Sequence, residues 1–261
     1  MVTAIEQEAL MRIYGLQRLT LLDFPGQVAC TVFLSGCNFR CPYCHNMGLA
    51  ELHVDSGLLD EEDFFDFLED RKGILDGVAI TGGEPLLNPE VELFLRRIKD
   101  LGFLVKLDTN GSNPRELREC INAGLVDYIA MDIKSSPGKY ASACGKQHVQ
   151  MEKIKESIKI IKRSGVDYEF RTTAVDELHD VDDFEQIGRL IDGADAYYIQ
   201  PFVDSPGVPC CGFHPPTWEK LVKCQNAVGG HVGEVSVRGT VLQRREDTVQ
   251  KGAENAESRN S

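Results

Sequence analysis

A strand followed by a helix, repeated about six times, is the feature that most limits what this chain can become. Residues 28–34 (VACTVFL) form a β-branched apolar run that reads as a buried strand. Further strands are expected at 77–80, 103–107, 126–131, 168–174 and 196–199, with a short one at 234–237. Helices are expected at 58–72, 151–164 and 181–191, and from about residue 217 onward. Two more carry clear punctuation. Asn88 and Pro89 open one whose buried face is Val91, Leu95, Ile98 and Leu101, and Gly102 ends it. Asn113, Pro114 and Gly124 repeat that grammar around Leu117 and Ile121. Alternation with helices of roughly 10–15 residues favours a parallel sheet. Right-handed crossovers in one sense curl such a sheet toward a barrel, and six units stop short of the eight that close one. The expected fold is therefore α/β, an open, partial (β/α)6 barrel of parallel strands. One domain at 26–240 carries it, after a lead-in at 1–25 and before a polar tail at 241–261 whose composition predicts disorder.

That topology gives the polar residues their meaning. The cysteine cluster after the first strand, Gly82-Gly83-Glu84, Asp108-Thr109, Asp132 to Lys134, Arg171 and Gln200 all fall at C-terminal strand ends. In barrel-like folds those ends converge on one mouth, where active sites sit. Charge and composition exclude other classes. A net charge of −13 lacks the basic footprint of a nucleic-acid binder. No apolar run is long enough to cross a bilayer. The opening MVTAIEQEALMRIYG has no basic segment ahead of its apolar residues, unlike a signal peptide. No nucleic acid, no membrane and a cytoplasmic location are expected. Nine cysteines then belong in a reducing compartment, where clustered thiols bind metal or do chemistry.

Three of the nine lie in SGCNFRCPYCHN, as Cys37-x3-Cys41-x2-Cys44. Two chemistries compete for them. Structural zinc would take His45 or a distant cysteine as its fourth ligand. Such sites usually pair two short knuckles, and Cys210-Cys211 are too cramped to supply the second. A [4Fe-4S] cluster is ordinarily held by four cysteines; three would leave one iron open, the logic of a catalytic metal site. A loop of this length can wrap one cubane, and Gly36 lets the backbone turn close to sulfide. The spacing favours iron–sulfur. Cys210, Cys211, His214, Cys224 and His231 form a loose second set that fits no recognisable knuckle, and Cys30, Cys120 and Cys144 read as structural.

The run Cys37-x3-Cys41-x-Tyr43-Cys44 resembles the signature of radical S-adenosylmethionine (SAM) enzymes, and Thr81-Gly82-Gly83-Glu84-Pro85 resembles that family's second motif. The Gly36 to Cys41 context, Asp108-Thr109-Asn110-Gly111 and Asp132-x-Lys134 are similar to the activating enzymes of glycyl radical enzymes. Gly15 to Gly26, with Thr20 and Asp23-Phe24-Pro25-Gly26, looks most like the anaerobic ribonucleoside-triphosphate reductase activating branch. The resemblance covers about residues 12–205. It implies a [4Fe-4S] cluster whose open iron binds the amino and carboxylate groups of SAM. One electron, from a donor such as flavodoxin or ferredoxin, then splits SAM into methionine and a 5′-deoxyadenosyl radical. The radical would take hydrogen from a glycine in a partner, the large subunit of an anaerobic ribonucleotide reductase. A small molecule, or another glycyl radical enzyme such as pyruvate formate-lyase, is the alternative substrate; a non-catalytic zinc module is the alternative outside enzymes. Only 36 residues separate Cys44 from Thr81, with no ferredoxin-like insert, so a single cluster is expected.

The resemblance also assigns residues. Cys37, Cys41 and Cys44 would be the metal ligands. Gly82, Gly83 and Glu84 would offer backbone carbonyls and a carboxylate to SAM's ammonium, the glycines admitting close approach; the plain alternative is a Gly-Gly turn with Glu84 as a cap. Asp132 and Lys134, two apart on a strand end, face one way. The first suits ribose hydroxyls or a cation and the second SAM's carboxylate; otherwise they are a surface ion pair. Asp108 and Thr109 would hold ribose or a monovalent cation, as in pyruvate formate-lyase activating enzyme, or else form an ordinary turn. Arg171, on a buried-looking strand, needs a partner: SAM's carboxylate, or Glu169 or Asp176. Tyr43 would set its backbone by the adenine. Gln200 stands where that activating enzyme has a histidine that touches SAM.

Overall fold

The computed structural model describes residues 11–50 and 59–239. Eight strands form one sheet in chain order: β1 (Ile13–Thr20), β2 (Ala29–Leu34), β3 (Gly77–Gly82), β4 (Leu104–Thr109), β5 (Tyr128–Asp132), β6 (Asp167–Ala174), β7 (Ala196–Pro201) and β8 (Glu234–Val237). β2 to β8 pair in parallel, and β1 runs antiparallel to β2. β1 and β8 are the two edges, so the curl stays open. The helices are α1 (Met47–Ala50), α2 (Glu61–Glu69), α3 (Val91–Asp100), α4 (Pro114–Asn122), α5 (Tyr140–Ala143), α6 (Met151–Arg163), α7 (Val181–Leu190) and α8 (Trp218–Gly229).

The open α/β barrel expected from the alternation is the observed one. Residues 234–237 join β7 in parallel, so seven parallel strands stand where six strand-helix units were counted. Residues 13–20, part of the expected lead-in, form β1. Its register shifts twice against β2, and its centre is only half-buried, with Leu19 exposed. An irregular edge strand shows no clean period of two, which hides it from pattern reading. α3 begins at Val91, one turn later than Asn88 suggested. Pro85–Leu87 makes a 3-10 turn first, and Asn88 Oδ1 accepts from the Glu90 N–H at 3.0 Å. Residues 1–10 of the lead-in and the tail at 241–261 lie outside the described residues.

Period two divides each strand between two environments. On β4, Val105 and Leu107 are fully buried beneath the helices, where Phe94, Leu95 and Ile98 of α3 are buried too. Lys106 and Asp108 alternate with them and face the barrel interior. On β6, Glu169, Arg171 and Thr173 do the same, against the outward Phe170, Thr172 and Ala174. The interior is therefore polar, and its charges are paired. Glu169 is fully buried and accepts from Tyr128 Oη at 2.8 Å and from Arg238 at 2.7 and 2.5 Å. Arg238 follows β8 and also lies over the Tyr198 ring at 3.8 Å, which pins the last strand to the interior. At the opposite end from the strand tips, the turn after β1 tucks Phe24 inward. Its ring is 3% exposed, sits 6.1 Å from that of Tyr128, and leaves no room for a Cβ at Gly77.

Candidate active site

Residues 35–46 leave β2 and cross the barrel mouth as a loop that supplies much of its own support. Gly36 N–H donates to Leu49 O at 2.6 Å, and Arg40 N–H to Cys144 O at 2.8 Å. The Arg40 guanidinium folds back onto the carbonyls of Cys37 (2.6 Å) and Phe39 (2.8 Å). Asn38 donates to Ser112 Oγ at 2.8 Å and accepts from Asn110 Nδ2 at 2.9 Å, which latches this loop to the end of β4. On that frame Cys37, Cys41 and Cys44 line one cavity together with Tyr43, Gly82, Gly83, Asp108, Thr109, Asp132, Lys134 and Arg171. Strand ends far apart in sequence thus converge as the topology required. Glu84 and Gln200 do not line the cavity.

The two glycines admit a very close backbone approach. A Cβ on Gly83 would stand 2.0 Å from Gly36 O, and one on Gly82 2.3 Å from Leu34 O. Gly82 also has φ +113, a region that L side chains rarely adopt. Their missing side chains let the end of β3 dock on the cysteine loop through Gly83 N–H to Leu34 O (2.9 Å) and Glu84 N–H to Gly36 O (2.8 Å). Glu84 is 1% exposed, and its carboxylate accepts from Thr109 Oγ1 (2.8 Å), Asn110 N–H (2.6 Å) and Leu86 N–H (3.2 Å). It ties β3 to β4 rather than facing the cavity.

Burial pushes the Glu84 carboxyl up from 4.5 to about 7, against those three hydrogen bonds. A raised folded-state value means the folded protein holds this proton more tightly than the unfolded chain. The stabilisation is complete below 4.5 and is lost as pH rises through about 7. Urea midpoints of cluster-free protein are expected to fall across that window, and the Glu84→Gln variant to lose this part of the slope. Equal slopes in the two proteins would assign it to another group.

The charges at the mouth form one network. Asp132 accepts from Arg171 Nε at 2.5 Å and Lys134 Nζ at 2.7 Å; Asp108 accepts from Arg171 at 3.0 Å and pairs with Lys106. Burial alone would push the Asp132 carboxyl up, but Arg171 and Lys134 hold it well below the usual carboxylate range. Asp108 is lowered likewise, against burial, by Arg171 and Lys106. Arg171 thus pairs with neither Glu169 nor Asp176 in a direct salt bridge, and Asp132–Lys134 is a cavity pair, not a surface one. Burial raises the Cys37 thiol to about 11 and raises Cys44. Cys41 goes the other way, to about 7, first through a hydrogen bond with Cys144, then through the Lys134 ammonium against burial. Anionic sulfur is the form that binds metal, and Lys134 stabilises it at all three cysteines.

The donor set fits an iron–sulfur cluster. Three thiols share one cavity, yet among the described residues no three His, Cys, Asp or Glu side chains converge on a single ion. Thiolates are the ligands that such a cluster takes. His45 is committed elsewhere: its ring stacks on Phe202 at 5.6 Å, and Nε2 lies 2.5 Å from Val203 O. The loose second set does not assemble either. Cys210 and Cys211 are exposed, Cys224 is buried, His214 pairs with Glu177 at 2.6 Å and His231 with Asp192 at 3.0 Å.

Lys106 and the Asn38–Asn110–Ser112 latch carry no assignment from sequence, and Cys144 reads there only as structural. Lys106 had a usable signal: it sits two residues before Asp108 on one strand and so shares its face. Cys144 and the latch had none, because they meet the cysteine loop only through the fold.

The chain belongs to the radical SAM superfamily, whose family model matches residues 31–191. It is an enzyme, and its cofactors are those of the superfamily, a [4Fe-4S] cluster and SAM. Its relatives narrow the class. A Methanocaldococcus jannaschii protein carrying the name glycyl-radical enzyme activating enzyme is 36% identical over 196 residues, 73% of this chain and 79% of that one. The pyruvate formate-lyase-activating enzyme of Clostridium pasteurianum is 33% identical over 129 residues, 47% of this chain and 52% of that one. Streptococcus suis SuiB bound to its precursor peptide SuiA shares the fold with a TM-score of 0.63 at 14% identity, over 81% of this chain and 49% of SuiB. The chain thus spans about half the length of that structural neighbour.

Proposed function

We propose that this chain activates a glycyl radical enzyme, an anaerobic ribonucleoside-triphosphate reductase. It would do so by cleaving SAM reductively at a [4Fe-4S] cluster held by Cys37, Cys41 and Cys44. The observation that carries this reading is the convergence, in one cavity, of three thiols with a paired set of charged side chains, Asp108, Asp132, Lys134 and Arg171. When bound, the cluster and SAM supply the one-electron chemistry that ends in hydrogen abstraction. The protein's part is to bind, orient and shield. Three thiolates would hold the cluster and leave one position open for SAM. Lys134 and Arg171 would meet the carboxylate of SAM, and the backbone of Gly82 and Gly83 its ammonium. Asp108, Thr109 and Asp132 lie within the same cavity for the ribose, and Tyr43 sets the backbone beside the adenine. Gln200 is placed farther along β7, outside the cavity lining, and has the weakest claim. Glu84 acts by fixing Thr109 and Asn110.

Glycine as substrate is supported by the activating-enzyme relatives. The reductase as partner is supported by the motif at 15–26, in which Thr20 Oγ1 accepts from the N–H groups of Leu22 and Asp23, both at 3.2 Å. A low-potential donor such as flavodoxin or ferredoxin would reduce the cluster. Nine free cysteines are consistent with a reducing compartment such as the cytoplasm. Among the described residues, no helix is long and apolar enough to cross a membrane.

The test is electron paramagnetic resonance on anaerobically reduced protein mixed with SAM and the candidate reductase. A glycyl radical on the reductase is expected. 5′-Deoxyadenosine without a protein radical would keep SAM cleavage and remove the activase reading. A colourless, zinc-loaded protein would remove both.

A further inference from the structure

Each oxygen of both carboxylates at the mouth already meets one of the chain's own cations. Asp108 takes the Lys106 ammonium on Oδ1 and Arg171 on Oδ2; Asp132 takes Arg171 on Oδ1 and Lys134 on Oδ2. Four carboxylate oxygens meet four cationic contacts. Lys106 is 2% exposed and reaches Asp108 without leaving its own strand, because the two share the inward face of β4.

The resemblance to pyruvate formate-lyase activating enzyme implies a monovalent cation near Asp108 and Thr109. These residues do not fit one. Such an ion would answer carboxylate charge, and every oxygen of Asp108 and Asp132 already has a cationic partner. It would also sit beside the Lys106 ammonium, where little water screens the repulsion. We propose that Lys106 replaces that ion: its tethered ammonium supplies the charge at Asp108, so SAM binding here is independent of Na⁺ and K⁺. The three cations outnumber the two carboxylates, and the surplus is the charge that SAM's carboxylate would answer. This inference rests on the reading of the mouth as the SAM site.

Equilibrium binding of SAM to the reconstituted holoprotein decides it, in choline chloride and then in NaCl or KCl at equal ionic strength. Wild-type Kd is expected to stay within about twofold across the salts. Lys106→Met is expected to bind about tenfold more weakly in choline and to recover with Na⁺ or K⁺, while Lys106→Arg stays salt-independent. Lys106→Gln, a polar isostere, serves if the methionine variant does not fold. A second readout needs neither cluster nor SAM. Exchanging choline for K⁺ is expected to leave the melting temperature of wild-type apoprotein unchanged and to raise that of Lys106→Gln by about several degrees. Wild-type binding that tightens several-fold with Na⁺ or K⁺ overturns the proposal, as does a Lys106→Gln protein blind to these ions in both readouts. If wild type binds no SAM in any salt, the reading of the mouth fails, and the melting experiment still decides the role of Lys106.

Discussion

Cys41→Ala protein, reconstituted without oxygen, is expected to come out pale. Its iron should fall from about four atoms per chain to below about one, and SAM cleavage should vanish with it. Cys41 is the middle cysteine of the loop and 7% exposed. It is also the thiol that its surroundings pull lowest, and so the one most ready to bind metal as the anion. Two remaining thiols cannot hold three corners of a cube. The fold itself should survive, because one sulfur removed from a loop costs only about 1 kcal/mol, and circular dichroism checks this. Cys144 is fully buried against Cys41, close enough to take its place. The measurement therefore includes the double variant Cys41→Ala/Cys144→Ala. Iron content and 5′-deoxyadenosine are read in both, and cleavage that persists in the double variant contradicts the ligand assignment.

A single methyl group at Gly83 is expected to do nearly as much damage, without touching a ligand. The Cβ of Gly83→Ala would lie 2.0 Å from Gly36 O and 3.3 Å from Cys37 N. Both neighbours are backbone, so no side chain can swing aside. The end of β3 must move off the cysteine loop, which strains the Glu84 N–H to Gly36 O bond of 2.8 Å. Overpacking costs about 1–3 kcal/mol and the hydrogen bond about another 1 kcal/mol. Unfolding of the apoprotein should therefore shift by about 2–4 kcal/mol, and iron retention should fall at least about tenfold. Gly102→Ala is the control. Unlike Gly83 it has a positive φ, at +92, and nothing lies within 4 Å of its Cβ. It should lose about 1 kcal/mol to backbone strain and keep its iron. Normal loading of Gly83→Ala would show that this contact does not set the loop.

The strands and helices that build the barrel were legible because their punctuation is local. Pro114 opens α4 where expected, and the apolar face of α3 is buried as its spacing required. The site was legible as a set, since polar residues at parallel strand ends have nowhere to go but one mouth. What could not be read was who holds whom. Arg171 was a buried charge in search of a partner, and Asp108 and Asp132 come from two other strands. Glu84 looked like a ligand group because it follows two glycines, yet the turn at Pro85–Leu87 aims it at Thr109 and Asn110. The glycines looked like a cradle for a small molecule. Their first use is against Gly36, a contact set by β2–β3 register and invisible in spacing. β1 was missed because an edge strand with two register shifts carries no period.

Phe24 has a consequence for traffic. With its ring wedged against Tyr128 and Gly77, the barrel is a cup and not a tube. On the proposed function, whatever enters must come over the rim and leave the same way. A small sulfonium and a bulky protein would then share one doorway, and the smaller guest must be seated before the larger one covers it.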